Sequence, residues 1–334
     1  MTGFGAFARA LCAVLLLLAA APAMGADGQA AFAVWLDELR REALMRGISQ
    51  ATVTAALSDI EYIPRVVELD RKQPEFTQTL DQYLEKRVTD DIVATGRALM
   101  AENRPLLEKI QAEYQVQPRF LVALWGIESK YGEHTGGFGV IPALVTLAYD
   151  DRRKEKFREE LFFALEIVDR GDIPLSEMSG SWAGAMGQTQ FMPSVFRRYA
   201  VDYDHDGRSD IWWSLPDILA SSANYLHSIG WNGNEGWGMK VVLPPGFDHS
   251  LANPFDRQHG DMSKTLREWQ SLGVRAPGGG PLPARDLRAT LILPDGPEGT
   301  PYLVTDNFLV LLGWNPAFLF AVTVGTLADR LEPG

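Results

Sequence analysis

The stretch from Pro118 to Gly132 constrains this chain more than any other part of it. It reads Pro-Arg-Phe-Leu-Val-Ala-Leu-Trp-Gly-Ile-Glu-Ser-Lys-Tyr-Gly. Proline suits the first turn of a helix, where its missing N–H forfeits no hydrogen bond, and Gly132 supplies a stop. The spacing predicts a strongly apolar helix over 118–131, which belongs in a core. The chain has 334 residues, 46% of them hydrophobic, enough to enclose such a helix in one large domain or two smaller ones. One charged residue, Glu128, interrupts the apolar face, one turn from Leu124 and Trp125 and two turns from Leu121. A carboxyl on that stripe is partly desolvated, which raises its pKa and suits a proton donor near pH 7. A structural glutamate in a buried ion pair or hydrogen bond fits the same pattern equally well.

The rest of the chain reads mainly as helices. Apolar spacing predicts them over 31–45 with Gly47 as a stop, from Ser49 as a cap to 57, and over 77–86. Another spans 89–113, with Pro105 either kinking it or starting a new helix. Further helices are expected over 142–149, 153–169, 193–200 and 215–229. From 239 to about 305 proline and glycine become frequent. Short β-like runs appear there at Val241-Val242-Leu243 and 290–293, with one helix over 263–272. A last apolar helical segment spans 308–331, with Asn315 a candidate N-cap. The expected fold class is α+β and mainly α. A helical core over about 30–240 is followed by a small mixed subdomain over about 241–305, and C-terminal helices over 306–331 return to the core.

Residues 1–25 read as a secretory signal. Arg9 precedes an apolar run from Leu11 to Ala21, shorter than the roughly 20 residues of a membrane span. Ala23-Met24-Gly25 then offers small residues for cleavage before Ala26; an uncleaved anchor is the alternative. Cys12 is the only cysteine, and Arg9-Ala10-Leu11 is a poor context for lipid attachment, so neither a lipid anchor nor a disulfide is expected. The net charge of −12 argues against nucleic acid, whose backbone needs a basic face. The five histidines lack metal-ligand spacing, and there is no G-x-S-x-G, P-loop or dinucleotide fingerprint.

Asp202-Tyr-Asp204-His-Asp206-Gly207-Arg208-Ser-Asp210 is an EF-hand-like string. Carboxylates fall at loop positions 1, 3, 5 and 9, the Arg208 carbonyl at 7, and Gly207 at 6 for the sharp turn. Four aspartates this close repel one another unless a cation, most naturally Ca2+, neutralises them. Position 12 is Trp213 where an acid is expected; Ser214, Asp217 or water could take its place, and binding weaker than in a full EF-hand follows. A solvated acidic turn is the other reading.

Two motifs carry a resemblance to a known family. Trp125-Gly-Ile-Glu128-Ser-Lys-Tyr-Gly132, followed by Ser181-Trp-Ala-Gly-Ala-Met-Gly-Gln-Thr-Gln190-Phe-Met-Pro-Ser194, resembles the lytic murein transglycosylase B family. The resemblance covers about residues 30–331. It implies a lysozyme-like catalytic core and makes Glu128 the only acid/base. It implies that Glu128 cleaves the bond between N-acetylmuramic acid and N-acetylglucosamine without water, leaving a 1,6-anhydro end. Two-carboxylate glycosidases are unlike this, and Glu133 is expected in the solvated loop rather than in catalysis. The resemblance also implies that Ser181, Gln190, Tyr225 and Tyr83 line the cleft, and that Arg152 and Arg153 meet anionic parts of the peptide stem or lactyl group; the alternatives are a buried turn whose polar side chains serve their own backbone, a core tyrosine at 225, and a solvated helix start with intrahelical pairing at the arginines. Gln188 stands where some relatives have an aromatic. Trp314-Asn315 stands where some have tyrosine-asparagine, which puts a hydroxyl contact in doubt. Any calcium would be structural, tying two helices together.

The expected partner is the peptidoglycan glycan strand, met by a periplasmic monomer, with cell-wall synthesis or division proteins as further partners. The sequence leaves two rivals open. One is a muramidase-type hydrolase using Glu128 with water; the other is a non-catalytic wall-binding protein on the same fold.

Overall fold

The computed structural model describes residues 26–71, 78–253 and 261–332; the expected signal segment and Thr77 lie outside the described residues. Helix α1 (Ala26–Met45) stops at Gly47, whose φ of +94° is the conformation expected of a helix stop. Helix α2 (Gln50–Leu57) starts at Ser49, whose hydroxyl accepts from the Thr52 N–H. Helix α3 (Pro64–Arg71) has no counterpart among the expected helices. It is short, and only Val66, Val67 and Asp70 are buried in it, too few to show a period. Helix α4 (Leu80–Arg87) opens with a capping box formed by Thr79 and Gln82. The single helix expected over 89–113 is two, α5 (Asp90–Glu102) and α6 (Arg104–Tyr114), because Pro105 occupies the first turn of α6.

Helix α7 (Pro118–Ser129) buries every residue from Phe120 to Ile127. It ends two residues earlier than expected, where Lys130 and Tyr131 take left-handed φ values of 49° and 61°. Strand β1 (Phe138–Gly139), helices α8 (Val140–Tyr149) and α9 (Lys154–Arg170), strand β2 (Ser179–Gly180), α10 (Pro193–Tyr199) and α11 (Leu215–Ser228) follow. Strands β3 (Gly238–Lys240), β4 (Lys264–Thr265), β5 (Arg288–Ile292) and β6 (Tyr302–Val304) form an antiparallel sheet in the order β3-β6-β5-β4, with helix α12 (Leu266–Ser271) beside it. The β-like run at 241–243 is not a strand. Only Val242 makes a bridge, to Arg275, and the paired segment lies just before it.

The apolar segment expected as one helix over 308–331 is broken into α13 (Asp306–Trp314) and α14 (Phe318–Leu331), whose axes differ by 116°. Pro316 forces the preceding Asn315 out of the helical region, to φ −139° and ψ 120°. Asn315 is therefore the C-cap of α13 and not the N-cap of α14, though its Oδ1 accepts from the Ala317 N–H at 3.1 Å. No single helix among the described residues is long and apolar enough to cross a membrane.

Three apolar clusters organise the described residues. The first gathers α4 to α7, the inner face of α11, α13 with α14, and Ile292, Tyr302 and Val304 from β5 and β6. The second gathers α1, α2 and α8 to α10. The third belongs to the sheet segment and holds Val241, Leu266, Trp269, Leu291 and Leu303. Ile229 and Trp314 pack against both the first and the second cluster, so they mark the seam between them.

Candidate active site

Glu128 sits half-buried in the last turn of α7, on that seam. Its Oε1 accepts a hydrogen bond of 2.7 Å from the indole Nε1–H of Trp314. The break at Pro316 ends α13 at this residue, against the end of α7. The indole is held from two sides, edge-on to Phe191 at 5.3 Å and tilted over Tyr225 at 5.1 Å. Tyr225, nearly buried, stacks on Tyr199 at 4.6 Å and donates its hydroxyl to the Gly313 carbonyl at 3.0 Å. Burial pushes the Tyr225 hydroxyl above its ordinary range, so it stays a donor. The contact between Trp314 and Glu128 was not legible in the sequence. The available hint was general: a tryptophan removed from water needs an acceptor for its N–H.

The second motif packs against the loop that follows α7. Strands β1 and β2 pair Phe138 with Gly180 and Gly139 with Ser179, clamping the 132–139 loop against the motif. Gly136 makes this approach feasible. Its φ is +104°, and a Cβ there would lie 2.0 Å from the Gly180 carbonyl oxygen. Gln190 has a left-handed φ of 52° and donates its side-chain amide to the carbonyls of Thr135 (3.0 Å) and Gly187 (2.9 Å), so it joins loop to motif. The Ser181 hydroxyl accepts from the N–H groups of Ala183 (3.3 Å) and Ala185 (3.0 Å), shaping its own turn. Gln188 has a role that its departure from the family pattern did not suggest. Its Oε1 accepts from the Trp125 indole at 2.8 Å and its amide donates to the Trp212 carbonyl at 2.7 Å, so it bolts α7 to the acidic loop.

The remaining expected residues have partners of their own. Tyr83 is buried on α4 beneath the Arg87 guanidinium, 4.3 Å from the ring centre. Arg152 and Arg153 both engage the buried Asp70 of α3, while their side chains stay 47% and 37% exposed. Glu133 is exposed in the loop. A hollow of ≈ 260 Å³ opens beside the end of α7, with Lys86, Arg87, Ile127 and Lys130 in its wall.

In the acidic loop, the structure brings carboxylate oxygens of Asp202, Asp204 and Asp217 within 4.8 Å of one another. Asp217, fully buried at the start of α11, takes the N–H groups of Tyr203 (2.7 Å) and Asp210 (2.8 Å). Burial raises its carboxyl above the ordinary range against those bonds. Asp206 turns to the Arg208 N–H and Asp210 to the N–H groups of Trp212 and Trp213, so neither joins the cluster. Trp213, at loop position 12, is 71% exposed. An all-oxygen donor set with one buried acid suits a hard cation such as Ca2+.

The sequence profile of the transglycosylase SLT domain matches residues 31–329. The chain belongs to that family. Over 152 residues this SLT domain is 38% identical to the membrane-bound lytic murein transglycosylase B of Escherichia coli K12, a match spanning 45% of this chain and 42% of that protein. Its fold superposes on SltB3 of Pseudomonas aeruginosa, solved in complex with NAG-anhNAM-pentapeptide. The TM-score is 0.85 at 45% identity, covering 91% of this chain and 80% of that one. The Escherichia coli lytic transglycosylase Slt35, solved in complex with calcium, superposes with a TM-score of 0.74 at 26% identity over 89% of this chain and 92% of that one. This SLT domain is thus mainly α, and its structural neighbours are lysozyme-like lytic transglycosylases.

Proposed function

We propose that this chain is an exported peptidoglycan lytic transglycosylase acting in the periplasm, with Glu128 as its single acid and base. The observation that carries the reading is one half-buried carboxyl at the end of an otherwise buried helix, hydrogen-bonded by Trp314 within an SLT domain that spans residues 31–329. Glu128 gives its proton to the oxygen linking N-acetylmuramic acid to N-acetylglucosamine, and the bond from C1 to that oxygen breaks. The C6 hydroxyl oxygen of the muramoyl residue then bonds to C1, and its proton returns to Glu128. Water is not consumed, and the product carries a 1,6-anhydro end. An inverting or retaining glycosidase would need a second carboxylate opposite the first; Glu133, nearby in sequence, is exposed in the loop.

Ser181 and Gln190 are assigned to hydroxyl and N-acetyl groups of the strand, and Tyr225, Tyr83 and Asn315 to the cleft wall. Arg152 and Arg153, with their exposed flanks, are assigned to carboxylates of the peptide stem or lactyl group. Calcium, held by Asp202, Asp204 and Asp217, would neutralise the loop and tie it to α11. It takes no part in the proton transfers.

Digestion of purified sacculi by the wild type and by Glu128→Gln, with products weighed by mass spectrometry, tests the reading. Anhydro ends from the wild type and none from the variant are expected. Reducing ends from the wild type would make it a muramidase, and unchanged digestion by the variant would remove Glu128 from the chemistry.

A further inference from the structure

We propose that Trp314 is a positioning residue that determines which oxygen of Glu128 carries the transferred proton. The inference rests on the transglycosylase reading above. It starts from an asymmetry in the hydrogen bond. An indole N–H can donate and cannot accept, so its partner Oε1 must present a lone pair. In a neutral carboxylic acid the carbonyl-type oxygen is the good acceptor, and the hydroxyl oxygen holds the proton. The 2.7 Å bond from Trp314 therefore makes Oε1 the carbonyl-type oxygen and puts the proton on Oε2. A side chain able both to donate and to accept would leave either oxygen protonated.

The bond also follows the reaction. When Oε2 gives its proton to the glycosidic oxygen, negative charge spreads over the carboxylate. The indole bond then becomes charge-assisted, roughly twice as strong as a neutral one. It stabilises the charge at the moment the charge appears, which lowers the barrier rather than merely tightening binding. The C6 hydroxyl proton returns to Oε2, Oε1 again becomes carbonyl-like, and the cycle closes with no net change at Glu128. The donor is fixed in place beforehand. Phe191 and Tyr225 brace the indole, and the Tyr225 hydroxyl holds the end of α13 through Gly313.

The test replaces residue 314 by β-(benzothienyl)alanine, which keeps the bicyclic shape and exchanges N–H for sulfur. 5-Fluorotryptophan at the same position, which keeps the N–H, serves as the control, and each full-length protein is checked for a wild-type melting temperature. Loss of a hydrogen bond to a charged group predicts a fall in kcat of about 10- to 100-fold, with KM on glycan strands little changed. The fluorinated protein is expected to keep wild-type kcat. A benzothienyl protein as fast as the wild type would overturn the inference, as would equal losses in both analogues, which would make ring electronics or packing the cause. A wild type that yields no anhydro ends would sink the parent reading instead, whatever the analogues do.

Discussion

Removing one hydroxyl, in Tyr225→Phe, separates two roles for a side chain that the family pattern places in the cleft. The ring contacts with Tyr199, Trp314 and Phe191 survive this change. Only the 3.0 Å bond to the Gly313 carbonyl is lost. A neutral hydrogen bond contributes about 1 kcal/mol net, and an unpaired carbonyl left behind raises the cost to roughly 2 kcal/mol. For a chain of this length that corresponds to a melting temperature lower by about 1.5–3 °C. The bond acts one residue before Trp314, so some loosening of the indole is expected, with kcat on sacculi falling by no more than about tenfold. Tyr225→Ala should be far worse, because deleting a buried aromatic ring costs about 3–5 kcal/mol. Scanning fluorimetry and turbidity clearing of sacculi measure the two quantities. If Tyr225→Phe melts like the wild type while its KM rises steeply, the hydroxyl meets the sugar directly and does not serve to anchor the end of α13.

Other outcomes follow from the same geometry. Calcium at a hundred times its dissociation constant should stabilise the protein by about 2.7 kcal/mol, and EDTA should reverse this. Asp217→Asn should abolish the calcium response in calorimetry; a response that survives would move the ligands elsewhere. Burial raises the Asp172 carboxyl above its ordinary 3.8, against the pull of Arg170 and Arg197. The folded state thus holds that proton more tightly than the unfolded chain, so this stabilising contribution is present below 3.8 and fades as pH rises through the folded value. Urea midpoints of wild type and Asp172→Asn should therefore meet in acid and separate, with the variant gaining, toward neutral pH. Gly325→Ala puts a Cβ 2.1 Å from the Trp237 ring, which is anchored by its indole bond to Asp329. Overpacking of about 1–3 kcal/mol should outweigh the gain of roughly 1 kcal/mol in helix propensity and lower the melting temperature.

Local signals in the sequence were read well where local physics decides the outcome. Pro118 and Gly47 begin or end helices through their backbone conformation and Ser49 through its hydroxyl, and the apolar run of α7 needs burial whatever surrounds it. The break between α13 and α14 was hidden because both halves are apolar and keep a helical period; Pro316 was the only mark of it. Asp217 was only one of several substitutes for loop position 12, because its carboxylate reaches the loop from the first turn of the next helix. The pairing of Asp70 with Arg152 and Arg153 spans more than eighty residues, and that of Glu128 with Trp314 spans 186, separations that no local pattern encodes.

That last separation explains why the site is built at the seam. Glu128 belongs to a helix of the first cluster, while Phe191 and Tyr225, which brace the indole, belong to the second. Trp314 packs against both, so the bond to Oε1 is made only when the two helical clusters dock correctly. Between them in the chain lies the sheet segment, which holds a cluster of its own around Trp269 and lends Ile292, Tyr302 and Val304 to the first cluster. One oxygen of Glu128 is held because Trp314, distant in sequence, reaches it, and docking of the clusters, rather than any local motif, sets that contact.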